Sequence, residues 1–352
     1  MMNSPSILPL ALGLSIFSFV MTSVLIVPFI DLLFKLKLTR KKEGDLRSRK
    51  SLFDKLHDHK AGTPIGGGIL IIVLTTVLFL LLMPLISYMG VVVQASFTYL
   101  EERLVILLTF VGFGLIGLLD DVVKIFGKPK KGTLGSIFGL TKIQKFSLQF
   151  VLAFIISGLL YRLLGIHILH IPFFNIVVDL GILYIPFAAF IIIFFTNAFN
   201  FTDGLDGLAS GLLMIYLFAF VFIAAGSLDT PLFIFISLWL GSIIAFLYFN
   251  VWPARIFLGD AGALAFGAMI AVVGLITGSV MSLFVIGGIF VVEAASSLIQ
   301  ILGWKILKRP IFPIAPIHHT FLAIGWEEPK IVMRAWLVGV ILAIFGLWLA
   351  TI

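Results

Sequence analysis

Long apolar runs follow one another from end to end of this chain, and they limit what it can fold into more than any single motif does. Of its 352 residues, 61% are hydrophobic and only 12% are charged. A helix of about 20 apolar residues crosses the hydrocarbon core of a bilayer. A soluble domain of this length has no interior large enough for so much apolar side chain. The composition therefore predicts an all-α, polytopic protein that is embedded in a lipid bilayer.

Ten of these runs are long enough to span a bilayer, and the absence of a repeat or a linker predicts a single integral-membrane domain over residues 1–352. The predicted spans are 7–33, 65–87, 103–119, 146–164, 182–199, 206–225, 232–249, 261–279, 282–305 and 332–352. The first run has no basic segment before it and no obvious cleavage site after it, so we read it as a retained helix. Alternating apolar and β-branched residues predict a short external β-hairpin at about 166–183.

Basic residues are concentrated in alternate loops. Residues 34–62 hold ten lysines and arginines and residues 120–145 hold six, and of the 24 in the chain all but Arg103 and Arg162 would lie on one side. Because cytoplasmic loops carry the excess of basic residues, this side is predicted to be cytoplasmic and both termini external. The net charge of +7 then suits anionic lipid and an anionic substrate, and nucleic acid is not an expected partner.

Five aspartates at the ends of apolar runs all fall on this basic side: Asp120, Asp121, Asp203, Asp206 and Asp260. A carboxylate at a membrane boundary is costly unless a cation or a functional site holds it. The adjacent acids in GLLDDVVKI could simply mark a helix end that reaches solvent, but there they would repel each other and oppose the helix dipole. The pattern favours an oxygen-only site for Mg²⁺. Zinc is disfavoured because the chain has no cysteine.

Two strings surround the later aspartates. In NAFNFTDGLDGLASG, Asn200, Asp203 and Asp206 recur every three residues and would share a face at a helix start. Helix capping is the simpler alternative, although one cap residue would be enough. In NVWPARIFLGDAGALAFG, Asp260 precedes the eighth span, and capping is again the alternative. Phe257 belongs either to the interfacial aromatic belt or to a stack on a nucleobase.

Two histidines and two further polar residues fall near the same side. The loop PIAPIHHTF carries His318 and His319, whose imidazoles are able to bind a phosphate oxygen or move a proton, although a surface pair is more often solvated and idle. Glu293 and Gln300 are seven residues apart in the ninth span and share one helical face. A buried glutamate in a membrane needs a partner or a cavity, so this face is expected to line the site.

Three lysines lie beside these strings. Lys60 opens KAGTPIGGG, Lys124 is one turn after the paired aspartates, and Lys145 lies in GLTKIQKFSLQ. Lys124 could either neutralise the paired aspartates or bind a phosphate, and Lys145 could either snorkel to the membrane interface or bind a phosphate. In the Lys60 string, the three glycines could allow close helix packing, and a Lys-Gly-Thr approach to a phosphate is the alternative. The sequence alone leaves both roles open.

The chain resembles the polyprenyl-phosphate N-acetylhexosamine-1-phosphate transferases over nearly its whole length. The strings that carry the resemblance stand in the family's order: KAGTPIGGG, LLDDVVKI, NFTDGLDGLASG, FLGDAGALAFG and APIHHTFLAIGWEEPKIVMRAW. Three positions depart from the family pattern. Thr320 replaces a third histidine, Leu322 replaces an acid, and the glycine segment reads TPIGGG rather than TPTMGG.

The resemblance implies ten transmembrane helices in the bacterial plasma membrane, with an active site that faces the cytoplasm. It implies transfer of phospho-N-acetylmuramoyl-pentapeptide from UDP-MurNAc-pentapeptide to undecaprenyl phosphate, which gives lipid I and UMP in peptidoglycan synthesis. Transfer of N-acetylglucosamine phosphate by the same chemistry is an alternative. A cation-coupled transporter of a phosphorylated solute is a weaker one, because its acids would lie near the bilayer midplane. A homodimer is one candidate assembly, and the sequence leaves the oligomeric state open.

The resemblance also assigns roles to residues of this sequence. It implies that Mg²⁺ is held chiefly by Asp260, with Asp203 as a second ligand, and that Asp120, Asp121 and His318 are catalytic together with Asp260. Phe257 is implied to stack on uracil. The implied substrate contacts are Lys60, Lys124, Lys145, Asn200, Asp203, Asp206, Asn250, Phe257, Gln300, His318 and His319.

Overall fold

The structure is a computed structural model that describes residues 7–40, 60–88, 97–126, 140–227 and 229–352. Within these residues, ten helices are long and apolar enough to cross a membrane. This number confirms the predicted class, an all-α polytopic membrane protein. The only sheet in the described part of the chain has two strands.

The helices begin and end close to the predicted bounds. In chain order they are α1 (Ile7–Lys35), α2 (Gly67–Tyr88), α3 (Tyr99–Phe126), α4 (Lys142–Arg162), α5 (Tyr184–Thr202), α6 (Leu208–Gly226), α7 (Thr230–Asn250), α8 (Gly259–Ile276), α9 (Val280–Ile286), α10 (Gly288–Leu302), α11 (Ile317–Ala323) and α12 (Glu328–Thr351). The third span is longer than the predicted 103–119. Asp120 and Asp121 therefore lie inside α3 rather than after it.

The predicted ninth span, 282–305, is divided between two helices. The short helix α9 ends at Ile286, and α10 begins at Gly288 and continues through a π-helical segment, Gly303–Leu307. Glycine is a poor helix former, and the pair at 287 and 288 marks the break. Hydropathy does not reveal it, because the whole run is apolar. The segment that spans the membrane is thus Gly288–Leu307.

The predicted hairpin between α4 and α5 is present. Strand β1 (Ile168–Ile171) pairs with strand β2 (Ile176–Asp179) in antiparallel register. Asp179 accepts the backbone N–H of Gly181 at 2.8 Å and lies 2.9 Å from Nδ1 of His167. The Gly181 hydrogen bond, with a smaller contribution from His167, lowers the pKa of Asp179. His167 therefore contacts the hairpin's own aspartate, far along the chain from the predicted site.

Helix α8 lies at the centre of the bundle and is buried along nearly its whole length, whereas α1, α4 and α12 expose many apolar side chains on their outer faces. Close approach of membrane helices depends on small residues at the contact. At Gly117 of α3 any Cβ atom would overlap the carbonyl oxygen of Asp260. This contact places the end of α3, with its paired aspartates, directly against the start of α8.

Candidate active site

The ends of α3, α4 and α8 bring two carboxylates and two ammonium groups together, and we call Asp120, Lys124, Lys145 and Asp260 the acid–lysine cluster. Nζ of Lys124 lies 2.5 Å from Oδ2 of Asp260 and 3.0 Å from Oδ2 of Asp120. Nζ of Lys145 lies 2.5 Å and 2.9 Å from the same two oxygens. Each lysine thus bridges both aspartates. The structure confirms that acids far apart in the sequence converge at one end of the bundle.

Lys145 is positioned by the way α4 begins. Thr141 accepts the backbone N–H of Gln144 and the Gln144 side chain accepts the Thr141 backbone N–H, which is a capping box. One residue earlier, the backbone N–H of Leu140 donates to Oδ1 of Asp120 at 2.8 Å. The start of α4 is therefore fixed to the end of α3, and Lys145 in its first turn faces the aspartates.

Asp121 does not contact the lysines in the way that Asp120 does. Its Oδ1 accepts the backbone N–H of Asp260 and its Oδ2 accepts that of Ala261, both at 3.0 Å. The residue before α8, Leu258, offers no side-chain cap. A carboxylate at a helix N-terminus satisfies free N–H groups and complements the helix dipole. Asp121 is therefore the cap of α8, and its predicted catalytic role stays a prediction.

Asp203 lies half-buried in the loop between α5 and α6. Burial raises the pKa of Asp203 to about 7, and the nearby carboxylates of Asp260 and Asp206 raise it as well, whereas Lys60 and Arg40 oppose this shift. Asp203 is thus within range of electrostatic repulsion from the carboxylate of Asp260. The loop places a further carboxyl group close to the acid–lysine cluster, as the sequence predicted.

Three charged side chains from distant parts of the chain form a second buried group, and we call Lys60, Asp206 and Glu328 the Lys60 clamp. Nζ of Lys60 lies 2.6 Å from Oδ1 of Asp206 and 2.5 Å from Oε1 of Glu328. Oε1 of Glu328 also accepts the backbone N–H of Asp206 at 2.6 Å. Oδ2 of Asp206 accepts the N–H of Ala254 at 2.9 Å. Sequence reasoning did not single out Glu328, although it lies in the GWEEP string.

His318 and His319 are buried on the short helix α11, so the solvated alternative for this pair is wrong. Nδ1 of His318 lies 2.9 Å from Oε2 of Glu293, which confirms that Glu293 has a partner on this face of α10. Nε2 of His318 is buried, and no hydrogen-bond partner for it lies among the described residues. That nitrogen is packed against Gly204, where any Cβ atom would overlap it.

Phe257 connects two of the sequence strings through its backbone. It forms an isolated parallel bridge with Ile65 and donates its N–H to the carbonyl of Pro64 at 2.9 Å. Its half-buried ring lies below the guanidinium of Arg40, 5.8 Å from the ring centroid. The KAGTPIGGG segment therefore runs beside the start of α8. Uracil stacking on this ring stays a prediction.

Two residues that were predicted to contact the substrate, Asn250 and Gln300, form hydrogen bonds with other residues of the protein. The buried Asn250 accepts from the hydroxyl of Ser210 at 2.6 Å and donates to the carbonyl of Ile256 at 2.9 Å. Gln300 donates to the carbonyl of Phe312 and accepts its N–H, both at 2.9 Å. Their contact with substrate stays a prediction, and the structure gives each amide a structural role.

The carboxylates around the acid–lysine cluster suit a divalent cation that takes its remaining ligands from water and phosphate oxygens. Within the described ranges, no three His, Cys, Asp or Glu side chains are arranged to hold a metal ion by themselves. When all are ionised, however, Asp120, Asp121, Asp203 and Asp260 carry two more charges than the two lysines of the cluster. All these donors are oxygens, and Asn200 lies half-buried in the last turn of α5 nearby in the chain. Mg²⁺ takes one or two carboxylates together with water and phosphate oxygens.

Comparison with known proteins agrees with this geometry. Residues 103–278 match the family model described as glycosyl transferase family 4. The chain is similar to the phospho-N-acetylmuramoyl-pentapeptide-transferases of Caldanaerobacter subterraneus (37% identical, covering 89% of this chain and 90% of the relative) and of Geobacillus kaustophilus (36% identical, covering 94% and 95%). The protein of the same name from Heliobacterium modesticaldum is 39% identical over 84% of this chain and 86% of its own.

Proposed function

Because the chain belongs to the phospho-N-acetylmuramoyl-pentapeptide-transferase family, we propose that it transfers phospho-N-acetylmuramoyl-pentapeptide from UDP-MurNAc-pentapeptide to undecaprenyl phosphate. An oxygen of the lipid phosphate forms a bond to the sugar-linked phosphorus, the bond from that phosphorus to UMP breaks, and UMP leaves with the electron pair. The products are UMP and lipid I, a precursor of peptidoglycan. The observation that carries this proposal is the convergence of Asp120, Asp260 and two lysines at one end of a ten-helix bundle.

The two lysines supply the positive charge that phosphoryl transfer needs. Catalysis of this kind consists mainly of positioning and of stabilising charge on phosphate oxygens. The side chain of Lys124 is 41% exposed and that of Lys145 is 18% exposed. Each therefore reaches solvent while it contacts Asp120 and Asp260. In the proposed complex both ammonium groups bind the pyrophosphate of the UDP-sugar and hold its phosphorus in place.

Asp260 and Asp203 would hold Mg²⁺, with Asp120 beside them. When bound, the ion would neutralise charge on the pyrophosphate and on the departing UMP. The support is the excess of carboxylate charge over ammonium charge and the oxygen-only donor set. No strong base is required, since a phosphate monoester has its second pKa at about 6 and is largely ionised at neutral pH. Asp120 is then an orienting group for the lipid phosphate.

A phosphate contact of His318 is kept as a proposal, since its Nε2 has no hydrogen-bond partner among the described residues and lies against the loop that carries Asp203. Glu293 fixes one nitrogen of its ring, which leaves Nε2 directed at Gly204. A histidine that is oriented by a carboxylate in this way donates or accepts a proton at a defined position. The concentration of basic residues supports a cytoplasmic location for this end of the bundle.

The sugar is the part of the proposal that most needs a direct test. Thr320, which departs from the family pattern, lies in α11 and donates its hydroxyl to the carbonyl of Ile314 in the segment before that helix. The experiment mixes the purified full-length protein and Mg²⁺ with undecaprenyl phosphate and either UDP-MurNAc-pentapeptide or UDP-GlcNAc, and then identifies the lipid product. We expect UMP and a lipid product with the first donor alone. Product formation from UDP-GlcNAc alone would reassign the sugar, and lack of product from both would contradict the transferase function.

A further inference from the structure

Glu328 is the carboxylate that joins the last helix of the protein to the candidate active site. It lies in the first turn of α12 and is buried, with 8% of its side chain exposed. A single oxygen, Oε1, accepts both the ammonium of Lys60 at 2.5 Å and the backbone N–H of Asp206 at 2.6 Å. One side chain thus holds a charge from the KAGTPIGGG segment and the backbone of the loop between α5 and α6.

The same contacts occupy the ammonium group of Lys60. It is buried, and two carboxylates lie within 2.6 Å of its nitrogen. A buried ammonium gains little from leaving such partners for a phosphate, since it would leave two charges uncompensated. Lys124 and Lys145, in contrast, retain contact with solvent. The structure therefore separates the lysines into two that are able to meet a phosphate and one that holds the protein together.

The loop fixed in this way carries Asp203. Asp203 precedes Asp206 by three residues, and Asp206 also accepts the backbone N–H of Ala254 at 2.9 Å, six residues before Asp260. The other side of the loop is packed against His318 through Gly204. Displacement of reacting groups by about 1 Å is enough to reduce a rate about a hundredfold. The position of this loop is therefore expected to control the chemical step.

We propose that Glu328 is a positioning residue, which acts through Lys60 and Asp206 to hold Asp203 and His318 at the acid–lysine cluster. The proposal rests on the transferase function proposed above. It assigns Lys60 to this clamp instead of to a direct contact with the UDP-sugar. Because Glu328 orders the site and does not touch the substrate, its loss lowers kcat and leaves KM for the UDP-sugar nearly unchanged.

The test compares full-length variants by initial rates of UMP release, expressed per folded protein as judged by thermal unfolding and size-exclusion chromatography. In Glu328→Leu the acceptor is lost, and we expect kcat to fall at least about tenfold while KM changes less than about twofold. In Glu328→Gln the amide oxygen still accepts both hydrogen bonds, and kcat stays within about threefold of wild type. Glu327→Leu is the matched control, because Glu327 is exposed and caps nothing with its side chain.

A paired variant keeps the test valid if Glu328→Leu does not fold. Lys60→Met combined with Glu328→Leu removes one positive and one negative charge, so the net charge of the Lys60 clamp is unchanged. Apolar replacement of two partners is better tolerated than removal of one, and Asp206, which loses its ammonium partner in this variant, keeps the N–H of Ala254. We expect this variant to fold and still show the low kcat, because the N–H of Asp206 has lost its acceptor.

Three results would overturn the positioning role. One is a wild-type kcat per folded protein in Glu328→Leu, and another is a wild-type kcat in the paired variant. The third is a raised KM with an unchanged kcat, which would make Lys60 a substrate contact. A wild-type protein that releases no UMP from either UDP-sugar would contradict the transferase function and this role with it, whereas the three results above contradict the role alone.

Discussion

The carboxylate of Asp121 accepts the backbone N–H of Asp260 at 3.0 Å, so the second aspartate of the adjacent pair fixes the start of α8, the helix that carries Asp260. Its neighbour Asp120 faces the other way and contacts Lys124 and Lys145. Two adjacent carboxylates thus perform different tasks. One organises the backbone at the start of α8, and the other balances the charge of the lysines.

Replacement of Asp121 by asparagine is expected to weaken the start of α8. An asparagine side chain has one acceptor oxygen, so it satisfies either the N–H of Asp260 or that of Ala261 but not both. Loss of a helix cap costs about 1 kcal/mol, and the displaced Asp260 lowers kcat. Thermal unfolding and UMP release measure the two effects. Asp31→Asn is the control, since Asp31 is exposed at the end of α1. An Asp121→Asn protein with wild-type stability and rate would show that the cap is dispensable.

Gly204→Ala tests the contact between the Asp203 loop and His318. The added Cβ atom would overlap Nε2 of His318, so the loop or the imidazole must move. Overpacking of this kind costs about 1–3 kcal/mol, and we expect UMP release to fall by more than the loss of folded protein explains. Gly158→Ala in α4 is a matched control because the space around it is open. Equal activity of the two variants would contradict the contact.

The raised pKa of Asp203 predicts a pH-dependent stability. Its pKa is about 7 in the folded protein against an ordinary value of 3.8, so between these values the folded state holds a proton that the unfolded state has lost. Stability therefore falls as pH rises through this window, and the full penalty is present above about pH 7. Without divalent cations, Asp203→Asn is expected to unfold at a higher temperature than wild type at about pH 8, and the difference shrinks towards about pH 4.

The same thermal measurement tests the Mg²⁺ ligand. Mg²⁺ binds the ionised carboxylate, so it should raise the unfolding temperature of the wild-type protein more at about pH 8 than at about pH 6. In Asp203→Asn the Mg²⁺ effect should be smaller than in wild type at about pH 8, because Asp260 is then the proposed ligand that remains. A variant that Mg²⁺ stabilises as much as it stabilises wild type would remove Asp203 from the proposed ligands.

Most of the fold could be predicted from the sequence because a bilayer imposes one length on every spanning helix. Within the described residues, ten helices that could span a membrane and the hairpin occur close to where apolar runs and alternation placed them. The ends of α3 and the break at Gly287 could not be predicted in this way. Hydropathy marks where a helix can lie in lipid, but it does not show how far α3 continues beyond the apolar run or where an apolar run is interrupted.

The sequence predicted which residues belong to the site better than it predicted which of them contact one another. The cost of carboxylates at a membrane boundary identified Asp120, Asp203 and Asp260, and the structure brings them together. The cap formed by Asp121 joins residues 139 positions apart, and no local pattern contains that information. Glu328 was missed because an acid in a polar loop string has no unusual cost until burial is known. The role of Glu328 follows from its contacts with Lys60 and the backbone of Asp206.

The central claim is that the carboxylate of Asp260, set between two lysines, holds Mg²⁺ for phosphoryl transfer. The most direct test is Mg²⁺-dependent UMP release by Asp260→Asn, measured with UDP-MurNAc-pentapeptide and undecaprenyl phosphate, with Asp179→Asn in the hairpin as a control. We expect the Asp260 variant to fold and to lose at least about a hundredfold in rate, while the control stays near wild type. Near-normal, Mg²⁺-dependent UMP release by Asp260→Asn would contradict this account.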